Sequence, residues 1–78
     1  MDKEAIIAEL KESPANVAFS RLCNICDFFF GQSRQSGTSH RVYKTPCKGD
    51  PRINIQKKGN KAKAYQVRQV IKALEKIE

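Results

Sequence analysis

The sequence predicts a small α+β fold, an αβββα arrangement in which a three-stranded antiparallel sheet packs on helices, with a short extra helix in front. Three observations carry this expectation. Apolar residues recur at helical spacing near both ends of the chain, and extended runs punctuated by Gly and Pro fill the middle. The length, 78 residues, allows one thin core, because so short a chain buries only about 60% of the surface it exposes when unfolded. A single domain over residues 1–78 follows, with 1–13 as a helical extension. A sheet this small encloses a core only against a helical layer, which puts the helices on one face.

Each element has a local reason. Residues 3–12 place Ala5, Ile6 and Leu10 at helical spacing, and Pro14 disfavours helix at Ser13, so a short first helix stops there. In "NVAFSRLCNICDFFF", Asn16 can cap, and Phe19, Leu22, Cys23, Cys26 and Phe29 form one apolar stripe, which predicts the main N-terminal helix over about 17–27. "FFFGQSRQ" begins with aromatic residues that favour strands, and "SGT" at 36–38 signals a turn. "SHRVYKTP" is a second extended run, ended by Pro46. After a turn at "KGDP", Ile53 and Ile55 alternate with Arg52, Asn54 and Gln56 as on a half-buried third strand. From about Ala64, Val67, Val70, Ile71 and Leu74 share one side of a helical wheel, and Tyr65, Arg68, Gln69, Lys72 and Lys76 share the other.

Charge narrows the function. Fifteen Lys and Arg against eight Asp and Glu give a net charge of +7 and point to nucleic acid or an acidic protein as partner. The excess lies in the C-terminal two thirds, above all in "QKKGNKAK", where Lys57, Lys58, Lys61 and Lys63 surround Gly59-Asn60. Such a loop is either a solvated surface or a phosphate track, which Arg68 and Lys72 would extend along the last helix. Tyr65 can stack on a base or only flank the lysines.

The start, "MDKEAIIAELKES", lacks an apolar signal core, and the three cysteines are an odd number, so a cytoplasmic, reduced protein is expected. No apolar run approaches the ~18 residues of a membrane span. Cys23 and Cys26 have CxxC spacing, and with His40 and Cys47 they can be written as a zinc set. Both fall on the apolar helix stripe, however, and a partner CxxC is missing, so core packing is expected and neither metal nor cofactor.

His40 is the only histidine, and imidazole is the side chain that changes charge near neutral pH. Metal-free RNA cleavage needs a base for the 2′-hydroxyl, an acid for the departing 5′-oxygen and cations for the phosphorane. His40 can be the base, and Arg41, Lys44 and the loop lysines the cations. The acid stays open among Tyr43, a lysine and water. The plainer reading of His40 is a strand-end residue with a structural hydrogen bond. Three further readings remain: a non-catalytic RNA-binding module with the same basic face, a neutral partner-binding remnant and a zinc-stapled domain.

"GTSHRVYKTP", then "INIQ", then "GNKAKAYQVRQVIKALEKI" resembles the HicA family, the ribonuclease halves of HicA–HicB toxin–antitoxin pairs. The resemblance runs from about Asn16 to the end. It implies a fold similar to a double-stranded-RNA-binding domain, metal-free mRNA cleavage dependent on the motif histidine, and neutralisation by a HicB-like acidic antitoxin. By position, His40 matches the catalytic histidine, and Gly37 and Ser39 match the motif that places it. Thr38 lengthens the Gly-Ser-His form of many members, and Ala64 stands where members with a Gly-Lys-Ala-Lys-Pro-Tyr-Gln-Val-type motif have Pro. With no second histidine, a histidine acid paired with a histidine base is excluded within one chain.

Overall fold

Helical periodicity runs further along the chain than the aromatic residues suggest. The computed structural model describes residues 1–31, 40–45 and 52–77. Helix α1 (Lys3–Glu12) buries Ile6 and Leu10 and stops at Ser13, ahead of the single 3-10 turn Pro14–Asn16. Helix α2 (Phe19–Phe30) buries Phe19, Leu22, Cys23, Ile25 and Cys26. Its N-cap is Ala18, with extended backbone and no side-chain cap, so Asn16 does not cap it. Phe28, Phe29 and Phe30, read above as the start of a strand, complete α2 instead. Phe29 continues the apolar stripe and packs with Phe30 against the core, and that burial outweighs the strand preference of aromatic residues. Gly31 then ends the helix with φ +84°, a conformation favourable only to glycine, and its N–H donates to the Asp27 carbonyl at 3.2 Å.

The sheet is three-stranded and antiparallel, in the order β1-β2-β3. Strand β1 (His40–Lys44) pairs with β2 (Arg52–Lys58) in the register His40–Gln56, Arg41–Ile55, Val42–Asn54, Tyr43–Ile53 and Lys44–Arg52. The third strand, β3 (Lys61–Ala62), arises within the lysine-rich stretch that the sequence presents as a loop. It pairs Ala62 with Lys57 and Lys61 with Lys58 across Gly59-Asn60. A two-residue hairpin of this kind needs positive φ at its first central residue, and Gly59 supplies it at +63°. Helix α3 (Ala64–Lys76) follows, giving αβββα with an extra N-terminal helix. The remainder of the first expected strand, the turns at 36–38 and 48–51, Gly37, Ser39 and Cys47 lie outside the described residues.

The core lies between the sheet and the helices. Tyr43, Ile53 and Ile55 face Leu22, Ile25 and Cys26 of α2 and Val67, Val70 and Leu74 of α3, while Arg52 and Asn54 alternate outward. Helix α1 closes one side through Leu10, the Lys11–Glu75 ion pair at 2.8 Å and the two-pronged Arg21–Glu9 pair at 2.9 Å. Such exposed pairs add at most about 1 kcal/mol each. None of the described helices is long and apolar enough to cross a membrane.

Tyr43 is 0% exposed, and its hydroxyl donates to Asp27 Oδ1 of α2 at 2.7 Å. Burial, then the bond to Asp27, pushes its pKa up, and burial likewise raises those of the Cys23 and Cys26 thiols. Groups raised in the folded state contribute stability in full below their unfolded values, about 8.5 for a thiol and 10 for tyrosine. That contribution is lost as pH climbs towards the folded values. Urea unfolding in reductant should therefore show stability declining above about pH 9, with a slope approaching 1.4 kcal/mol per pH unit for each group. The Cys26→Ala variant should lose one group's share of that slope.

Candidate nucleic-acid interface

A lysine cluster holds its geometry only if something other than its own charges fixes it. Lys58 and Lys61 stand directly opposite each other in the β2–β3 hairpin, an arrangement that disfavours pairing. The ion pairs among the described residues are Lys11–Glu75, Arg21–Glu9 and Arg41–Asp27, so no carboxylate there neutralises Lys57, Lys58, Lys61 or Lys63. Neutral groups hold the hairpin instead. The segment leading into α2 lies along β3: the Phe19 N–H donates to the Asn60 carbonyl at 3.0 Å, and the Ala62 N–H to the Val17 carbonyl at 2.9 Å. Lys61 Nζ donates to Asn16 Oδ1, and Lys63 Nζ to Gln56 Oε1 at 2.8 Å.

A second set of bonds joins β2 to α3. The Gln56 backbone N–H donates to Gln66 Oε1 at 2.6 Å, and Gln66 Nε2 donates to the Tyr65 hydroxyl at 3.2 Å. Gln66 is only 2% exposed, so its amide is committed to these partners. The backbone of His40 pairs with Gln56, the same residue that receives Lys63 and reaches Gln66. The predicted histidine thus begins β1 at the end of the sheet where β2 runs into the lysine hairpin.

Lys58, Lys61, Lys63 and Tyr65, with Ala15, Ala62 and Ala64, line an open groove of about 740 Å³. The N-terminus of α3 adjoins it, with no side-chain cap and no acidic residue in its first turn, so the positive end of the helix dipole adds to the lysine charge. Tyr65 also lines a second groove of about 390 Å³, with Arg68, Gln69, Ile71, Lys72 and Glu75. Cations on both sides of one exposed aromatic ring are the ingredients of a nucleic-acid surface.

Not every predicted cation joins this surface. Arg41 sits half-buried opposite Ile55, with Nη1 at 3.8 Å from Asp27 Oδ2, and Lys44 ends β1 opposite Arg52, roughly 13 Å along the strand from His40. Neither lines the groove. Tyr43, considered above as proton donor, is enclosed in the core and already bonded to Asp27. Lys57 is exposed opposite Ala62 and does not line the groove. Cys23 and Cys26 pack in the core as raised-pKa thiols, and no group of three His, Cys, Asp or Glu among the described residues could hold a metal ion.

Sequence reasoning gives Gln56, Gln66 and Asn16 no part in the site. A signal existed for Gln66 alone: it lies four residues before Val70 on the apolar face of α3, where a polar side chain must find a partner. Comparison with known protein families, curated proteins and solved structures finds no match. Replacing Gln66 by Leu should strand the Gln56 N–H and cost about 1–3 kcal/mol. Chemical denaturation measures the loss, and amide exchange at Gln56 should quicken more than at Ile53.

Proposed function

We propose that this protein is a cytoplasmic, metal-independent endoribonuclease of the HicA type, a toxin that cleaves mRNA with His40 as its general base. The observation that supports this reading most is the register of β1 on β2, which sets His40 beside Gln56 at the lysine end of the sheet. RNA lying in the groove would bring a phosphate to Lys58, Lys61 and Lys63 and its ribose towards the start of β1. His40 would take the proton of the 2′-hydroxyl. The 2′-oxygen would then attack phosphorus and the bond to the 5′-oxygen would break, with a lysine or water returning a proton to it. The products are a 2′,3′-cyclic phosphate and a 5′-hydroxyl. Positioned acid–base groups supply about 10²–10⁴-fold each.

A free ribonuclease would harm its own cell, and an acidic HicB-like antitoxin is the corresponding partner. The +7 charge favours fast association with an acidic surface. Tight neutralisation also needs apolar anchors. Tyr65, at 53% exposed, is available for that role, whereas the enclosed Tyr43 is not.

Purified His40→Ala protein, assayed with RNA in EDTA beside the wild type, should bind RNA and lose at least a hundredfold in cleavage rate. Undiminished cleavage would sink the assignment of His40, and wild-type binding without cleavage would make the protein an RNA-binding module. Separately, Lys→Gln substitutions at 58, 61 and 63 should each lower the slope of log K against log salt by about 0.7–0.9. An unchanged slope would make the lysines a solvated surface.

A further inference from the structure

The position of Tyr65 bears on the form of nucleic acid the surface takes. The residue is 53% exposed although the chain is small and its other tyrosine is fully enclosed. Exposure has not left it loose: the hydroxyl accepts a hydrogen bond from buried Gln66, whose other end is fixed to β2. Lysines lie on one side of the ring, in the groove with Lys58, Lys61 and Lys63, and Arg68 and Lys72 lie on the other. Along the axis of α3, Arg68 is about 4.5 Å and Lys72 about 10.5 Å beyond Tyr65. A backbone crossing from one groove to the other must pass this ring.

We propose that Tyr65 is a stacking platform for one unpaired base, with the phosphates on either side held in the two grooves, so that the surface selects single-stranded over duplex nucleic acid. This rests on the nucleic-acid reading of the same site. A base inside a duplex has both faces occupied by its neighbours, so an aromatic platform between two phosphate tracks rewards only bases that are already splayed. Stacking is tolerant of sequence, because every base has a π-face, and cations alone would hold duplex and single strand alike.

The chain has two tyrosines and no tryptophan, so in a Tyr43→Phe background Tyr65 is the sole emitter in this range. The test is binding of a fluorescein-labelled octauridylate and of a duplex RNA of equal length to wild type, Tyr65→Ala and Tyr65→Phe, over a salt series. Tyr65→Ala should weaken single-strand binding about tenfold. It should leave the salt slope and the duplex affinity as they are. Tyr65→Phe should bind within about twofold of wild type, and unlabelled octauridylate should quench Tyr65 emission in the Tyr43→Phe protein. Intact RNA binding that Tyr65→Ala does not weaken would overturn the platform while sparing the nucleic-acid reading. The same holds if duplex is preferred, or if Tyr65→Phe is as weak as Tyr65→Ala. Failure of the wild type to bind either RNA would overturn both.

Discussion

The candidate site depends on one hydrogen bond, from the Gln56 backbone N–H to the side chain of Gln66. It ties the middle strand to the last helix where β3 is too short to continue the ladder. Without it a part-buried N–H would lack a partner, and such a group costs about as much as a sizeable share of a small domain's net stability. Each neighbour of interest attaches to this bond: His40 by strand pairing, Lys63 through the Gln56 amide, and Tyr65 through the Gln66 amide. A structural amide pair thus sets the relative positions of an imidazole-bearing strand, a cation and an aromatic ring.

The lysine hairpin opposes its own folding. Two lysines face each other across a two-residue turn, others flank them, and none is paired with a carboxylate among the described residues. Main-chain bonds to Val17 and from Phe19, and the side-chain amide oxygens of Asn16 and Gln56, offset that repulsion without cancelling the charge. Neutral acceptors are the choice that keeps the positive potential. An aspartate in place of Asn16 would strengthen the contact to Lys61 and weaken the field that an anionic ligand meets.

Much of this was legible in the residues. The stripes of α2 and α3 and the alternation at Ile53 and Ile55 follow from helical and strand periods, and they led to the right element types. Strand β3 was not legible, because two residues carry no alternation and its lysines resemble a solvated loop. Phe28–Phe30 misled because aromatic preference for strands is a packing preference, and here α2 supplied the packing. In the site, the His40 and lysine clusters are visible as local runs. The Lys61–Asn16 contact joins residues 45 apart, beyond any local pattern. That Arg41 and Tyr43, candidates for a cation and the acid, face the helices is not legible locally, because strand phase depends on which side the helices cover, and the register on β2 fixes that.

Arg41 has a further effect. In the order β1-β2-β3, strand β1 is an outer strand among the described residues, and an outer strand is a template on which another chain can add. The guanidinium lies on the helix-facing side, with Nη1 at 3.8 Å from Asp27 Oδ2 and with Nε buried and unpartnered among the described residues. An intermolecular sheet built on β1 would have to bury that charge again in every copy. A branched apolar residue at this position would suit the strand better and relieve the orphaned Nε. It would also make 41–43 an uninterrupted apolar run between His40 and Lys44, so the strand would lose a charge that resists aggregation.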